Sequence, residues 1–190
     1  MEISSFQSYL IILFVVLIII SIFVFRQFLK TRSEELNLVK FEQKGLDSLT
    51  KATELYEFGS IQVKKRLYSE ATKTFLKAIE NYENEPNEAK AIINNALGFS
   101  YAAQTEFTKA IKYYNFAIKS LPEYPIALNN LASAQQRLLE YDLAYETYQK
   151  VLDIDPKNKT AIKKSKELEK RNNYKPYNCL LYTSPSPRDS

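Results

Sequence analysis

The hydrophobic pattern of the chain falls into three regimes. From Tyr9 to Phe25 every residue except Ser21 is apolar or aromatic, and Phe6 and Phe28 extend the run at either end. At about 1.5 Å per helical residue the inner run spans roughly 25 Å and the outer limits roughly 33 Å, which brackets the hydrocarbon thickness of a bilayer. A core helix of this length keeps a polar stripe, so apolar character on all faces predicts a transmembrane helix. Glu2 precedes the run, while Arg26, Lys30 and Arg32 follow it. That asymmetry predicts an uncleaved anchor over residues 1–28, with everything after it on the cytoplasm-equivalent side.

The second regime, residues 29–50, is charged on most faces. Leu29, Leu36 and Val39 form only a thin apolar stripe, and Gly45 is a helix terminator. The expectation is a solvated juxtamembrane helix acting as a stalk.

In the third regime apolar positions recur at helical spacing, and the pattern itself repeats. Ala91-Ile92-Ile93-Asn94-Asn95-Ala96-Leu97-Gly98 aligns with Pro125-Ile126-Ala127-Leu128-Asn129-Asn130-Leu131-Ala132 at an offset of 34 residues. Tyr101, Phe107, Ala110, Tyr114, Ala117 and Pro122 then fall opposite Gln135, Tyr141, Ala144, Tyr148, Val151 and Pro156. Ala52 to Glu85 fits the same frame through Leu55, Phe58, Gly59, Tyr68, Ala71, Phe75 and Ala78, with Pro86 to Lys90 expected to lengthen the turn that follows. Gly59, Gly98 and Ala132 are small where Ala71, Ala110 and Ala144 oppose them, so small residues are expected to face small ones across each helix pair. Pro122 and Pro156 stop the second helix of their repeats, and Pro86 is expected to do so one turn late. A final helix, 159–173, carries Ala161, Ile162, Ser165 and Leu168 on one face and Lys166 at the repeat's small position, which suits a cap.

Composition narrows the function classes. The 190 residues include His 0, Cys 1, Trp 0 and Gly 3. Imidazole bases, zinc ligand sets and disulfide frameworks therefore lack their side chains, and a phosphate-cradling loop lacks its glycines. No cofactor, metal or small-molecule substrate is expected, and no enzyme. The net charge of +4 is uneven: residues 51–158 hold thirteen basic and fourteen acidic side chains, whereas Lys159 to Lys175 hold seven basic against Glu167 and Glu169. A basic groove with stacking platforms is absent from that map, so nucleic acid is not expected as a partner.

A helix-turn-helix period of 34 residues with these small and aromatic positions resembles the tetratricopeptide repeat, or TPR. The resemblance implies an all-α fold: an N-terminal transmembrane helix, then a right-handed TPR superhelix of three repeats (52–85, 91–124 and 125–158, within 51–158) and a C-terminal capping helix. Asn94 departs from the tryptophan common at its position, and Gln62 and Gln135 from the usual tyrosine. Stacked repeats line a concave groove with their first helices, which places Tyr56, Asn95, Phe99, Asn129, Asn130 and Ser133 in a candidate peptide-binding groove. Asparagines can donate to and accept from an extended peptide backbone, and Arg137 with Lys163 and Lys164 can meet a carboxylate. Some TPR domains clamp a chaperone's terminal carboxylate through Lys and Asn at two positions of the first helix; Tyr56 and Ser60 stand there, so that clamp is not matched.

The anchor, the stalk and the runs Leu55-Tyr56-Glu57-Phe58-Gly59-Ser60-Ile61, Asn95-Ala96-Leu97-Gly98-Phe99-Ser100-Tyr101 and Ala127-Leu128-Asn129-Asn130-Leu131-Ala132 together resemble a narrower group. This is the plastid and cyanobacterial TPR family of hypothetical reading frame 37, tied to photosystem I assembly. The resemblance implies a single-pass thylakoid protein with its repeats on the stromal or cytoplasmic side. Its implied partners are photosystem I subunits or assembly factors. The alternative is a TPR adaptor or receptor of another membrane system, in bacterial envelope assembly or organelle import.

Residues 174–190 carry no repeat frame. Reverse translation of Cys179 to Asp189 resembles a transposase sequencing adapter, so 179–190 is read as an artefact and its cysteine supports no redox argument.

Overall fold

The structure, a computed structural model, describes residues 5–45 and 49–173; the adapter-like segment lies outside them. The described residues form eight helices and no strand: α1 Ser5–Lys44, α2 Ala52–Lys64, α3 Tyr68–Glu80, α4 Asn87–Ala103, α5 Phe107–Ser120, α6 Pro125–Arg137, α7 Tyr141–Ile154 and α8 Lys159–Asn173. The apolar run and the charged segment after it share one helix, α1, which ends where Gly45 adopts φ 74°. Within it Gln7–Ser33 is long and apolar enough to cross a membrane, and its side chains are exposed.

The later helices pack in succession as α2/α3, α4/α5 and α6/α7, with α8 on α7. Each pair turns in the same way. The N–H groups of Leu67, Glu106 and Glu140 donate to the carbonyls of Gln62, Tyr101 and Gln135 at 2.9, 3.0 and 3.0 Å, closing the long bond of a Schellman cap. The residues bent into the left-handed region there are Arg66, Thr105 and Leu139, with φ of 62°, 63° and 67°. None is glycine, so each turn carries a steric cost of about 1–2 kcal/mol that the packed helices override.

The seam adds an aromatic ring to the small-against-small expectation. A Cβ on Gly59 would lie 2.5–2.8 Å from three ring atoms of Phe75, and one on Gly98 would lie 2.7 Å from two ring atoms of Tyr114 and 3.2 Å from the Ala110 carbonyl oxygen. The glycines thus admit a ring from the second helix, and the backbone of Ala110 is only the next neighbour. Phe75, Tyr114 and Tyr148 are all buried, and Tyr148 shares a core with Ala132, the third small residue. Three residues further along each first helix, the departures from the repeat pattern are matched by their partners. Thr74 and Thr147 donate hydroxyl bonds to Gln62 and Gln135 at 2.8 and 2.9 Å, whereas the middle repeat stacks Tyr101 on Tyr113 at 5.4 Å. A buried amide needs a donor and a ring needs a ring, so each position is satisfied as a pair.

Asn94 is buried in place of the usual large residue. Its amide donates to the Lys90 carbonyl at 2.8 Å and its Oδ1 has no partner. The repeats are further joined by Gln104, whose amide donates to Thr72 Oγ1 at 2.9 Å and to the Ser100 carbonyl at 3.0 Å.

Two expectations about connections change. Asn87 to Lys90 are not turn but the first turn of α4, and Pro86 caps that helix; α3 has already ended at Glu80. Proline belongs there because a missing N–H costs nothing at a helix start. The segment after the apolar run is not wholly solvated either. Phe41 stacks on Phe58 at 5.4 Å, Leu49 is buried in the same cluster, and Lys65 donates to Glu35 at 3.2 Å. The stripe Leu29, Leu36 and Val39 stays exposed. At the far end, the Ala161 N–H donates to Asn158 Oδ1 at 3.1 Å and caps α8; of its expected stripe Ala161, Ser165 and Leu168 are buried and Ile162 is half-buried.

Candidate functional site

The first helices of the three pairs converge on a cleft of about 390 Å³ lined by Tyr56, Ser60 and Val63 from α2, Asn95, Ala96 and Phe99 from α4, and Ile126 and Asn130 from α6. Helical spacing explains the set: residues three and four apart share a face, and each helix turns that face toward the next. The floor is Phe75, which comes from α3 and reaches the cleft because Gly59 leaves room for its ring. A second hollow of about 220 Å³, lined by Thr53, Glu57, Ala89, Ile92 and Ile93, shares Tyr56 with the first.

The two asparagines of the cleft bond to each other. Asn130 donates to Asn95 Oδ1 at 2.9 Å. Burial raises the Tyr124 hydroxyl above the usual tyrosine range, the nearby Tyr56 hydroxyl adds to this, and a bond from Asn95 opposes it. Tyr56 tilts against Phe75 at 6.1 Å, and Phe99 meets the edge of Tyr68 at 6.4 Å. What faces solvent is apolar: Phe99 is 43% exposed and Ile126 59%. No lining residue carries a charge.

The sequence-derived site residues thus separate. Tyr56, Asn95, Phe99 and Asn130 come together. Asn129 instead donates to Asn158 Oδ1 at 3.3 Å and bridges α6 to the cap of α8. Ser133 and Lys163 are exposed outside the cleft lining. Arg137 lies with its guanidinium 5.2 Å over the Phe107 ring, and Lys164 pairs with Glu167 at 2.8 Å, a bond that holds that carboxyl below its usual range. Two contributors escaped the sequence reading, Phe75 and Tyr124, because only first-helix positions were counted as groove-facing. Among the described residues no group of three or more His, Cys, Asp or Glu is placed to hold a metal.

Comparison with known proteins adds the family. Residues 125–158 match the tetratricopeptide repeat model. The chain is 32% identical over 170 residues to the chloroplastic tetratricopeptide repeat domain-containing protein PYG7 of Arabidopsis thaliana, covering 90% of this chain but only 56% of that one. It is 32% identical over 164 residues to the uncharacterized protein ycf37 of Cyanophora paradoxa, covering 86% of this chain and 95% of its relative. The chain belongs to the ycf37 family. This chain is a TPR protein-interaction scaffold related to ycf37 and PYG7. The photosystem I assembly protein Ycf3 of Rippkaea orientalis is more distantly similar, 30% identical over 48% of this chain and 60% of its own. The fold matches the first TPR of Spaghetti (RPAP3) bound to an HSP90 peptide, with TM-score 0.59, 22% identity, and coverage of 65% of this chain and 96% of that one.

Proposed function

We propose that this ycf37-family chain is a membrane-anchored, non-catalytic scaffold of photosynthetic membranes that assists photosystem I assembly or stability. Its α1 spans the thylakoid and its repeats lie on the stromal or cytoplasmic side, held there by Arg26, Lys30 and Arg32. The partner is an extended segment of a photosystem I subunit or assembly factor, seated in the cleft between Tyr56, Phe99, Asn95 and Asn130.

The observation that carries this reading is the uncharged cleft on a repeat array continuous with a bilayer-length apolar helix. Support for the photosystem comes from the chloroplastic relative and from similarity to a photosystem I assembly protein. The lining also favours an apolar segment over a terminal carboxylate, since Tyr56 and Ser60 stand where a clamp needs cation and amide donors. The test is affinity capture with the full chain from solubilised photosynthetic membranes. The wild type should recover photosystem I subunits, and Phe99→Ala should recover about a tenth as much or less if Phe99 is a buried anchor. Equal recovery by the two proteins removes the cleft from the proposal; no recovery by either removes the photosystem.

A further inference from the structure

The docking of α1 on α2 fixes which edge of the repeat array faces the bilayer. Glu35 meets Lys65 and Phe41 meets Phe58. As α1 climbs away from its apolar run, the partner residue numbers on α2 fall, so the helices are antiparallel and α2 runs back toward the membrane. Glu35 is seven residues beyond Phe28, a rise of about 10 Å. Lys65 at the end of α2 therefore stands close to the headgroup layer, within about one screening length of anionic charge.

The other first helices end on the same edge. Gln104 at the end of α4 donates to Thr72 at the start of α3, Arg137 at the end of α6 lies over Phe107 at the start of α5, and the Arg171 guanidinium lies 3.9 Å over the Tyr141 ring. Charge differs between the two edges. Residues 64–70, 103–109, 137–142 and 170–171 hold seven basic and four acidic side chains, whereas 51–54, 77–90, 119–125 and 152–159 on the opposite edge hold six basic and eight acidic. The basic edge also projects apolar tips: Leu139 is 68% exposed, Leu67 39% and Leu138 37%. A surface presenting cations with leucines between them suits lipid headgroups over a boundary of acyl chain.

We propose that the edge formed by the turns after α2, α4 and α6 rests on the anionic lipid headgroups of the membrane that α1 spans, so that the cleft opens sideways above the bilayer. Arg66 and Lys170 supply charge, and Leu67 and Leu139 reach the interface. This rests on α1 being a membrane span. The acidic edge points away from the lipid, and a partner enters from the side.

The test places single cysteines at Leu139→Cys and, on the opposite edge, at Glu123→Cys, in full-length protein carrying Cys179→Ser. Each carries a polarity-sensitive fluorophore and is reconstituted into vesicles of phosphatidylcholine with or without phosphatidylglycerol. Headgroup spin-labelled lipid should quench the Leu139 probe and spare the Glu123 probe, and the difference should shrink without phosphatidylglycerol. Arg66→Glu with Lys170→Glu should weaken the contact at least five-fold for each charge removed. Equal quenching at both positions, or none at Leu139 while the chain resists alkaline extraction, overturns the edge but leaves the span standing. Extraction of the chain at alkaline pH overturns the span itself. A Leu139 probe shielded in native membranes yet unquenched in the vesicles overturns the lipid contact in favour of an acidic protein.

Discussion

Replacing Gly98 with alanine sets two opposed effects against each other at one atom. On an exposed helix the change would stabilise by about 1 kcal/mol, because glycine loses more backbone freedom on folding. At position 98 the new Cβ falls 2.7 Å from two ring atoms of Tyr114 and 3.2 Å from the Ala110 carbonyl. Carbon atoms rest near 3.5–4.0 Å, so the ring must withdraw by about 1 Å or α4 must move from α5. Tyr114 is only 2% exposed, so its ring cannot swing out to solvent without leaving the core. Overpacking of this kind costs about 1–3 kcal/mol, which leaves Gly98→Ala less stable by about 1 kcal/mol, or a fall of a few degrees in Tm. The assay is urea unfolding of the full chain in detergent micelles, followed by circular dichroism. Two companion variants fix the cause. With Tyr114→Leu already in place, the alanine should recover its gain of up to about 1 kcal/mol. Ala132→Gly, at the seam position where alanine already fits beside Tyr148, should lose about 1 kcal/mol. A Gly98→Ala protein more stable than the wild type would refute the interlocked seam.

Three further outcomes follow from buried groups and turns, each read from the same unfolding curves. Asn94→Leu should stabilise by about 1–2 kcal/mol, since it removes a buried acceptor without a partner and restores the leucine found at the equivalent Leu55 and Leu128; a lower midpoint would show that the amide is satisfied. Leu139→Gly should stabilise by about 0.5–1 kcal/mol by relieving the left-handed backbone, and an unchanged midpoint would argue against strain there. Burial, with Glu167 adding to it, pushes the Tyr148 hydroxyl up to about 12, against about 10 when unfolded. The unfolded chain therefore releases its proton first, and stability present below about pH 10 is lost as pH rises to about 12, by roughly 2–3 kcal/mol from this group. Tyr114, raised further by burial, steepens the fall; Tyr148→Phe should flatten it.

The repeat frame was legible because packing imposes it on the chain at a fixed interval: Leu55, Leu97 and Leu131 are buried as their spacing implied. Spacing names the residues on a seam but not which side chain crosses it. That is why Gly59 and Gly98 read as partners of Ala71 and Ala110, when the aromatic one turn further along the second helix fills the space. The same limit applies to Pro86 to Lys90. An insertion between two repeats lengthens either a turn or a helix, and Glu88, Ala89 and Lys90 are good helix formers that took the second course.

The candidate site was legible to the level of the face and no further. Asn95, Asn129 and Asn130 look equivalent in sequence, yet whether an amide is available to a ligand depends on which acceptor lies near 3 Å from it, which no periodicity encodes. Asn130 spends its donor on Asn95, Asn95 is shared with Tyr124, and Asn129 is drawn to Asn158. Once these bonds are counted, the amides are part of the wall, and a ligand that broke them would have to replace each bond it displaced. The lining that these bonds leave over is Phe99, Ile126, Val63, Ala96, Ser60 and the ring of Tyr56. If the proposed partner seats there, a cleft of that character would select it by the shape of its apolar side chains. The charged residues Arg137, over Phe107, and Lys164, paired with Glu167, lie outside that lining and hold contacts of their own.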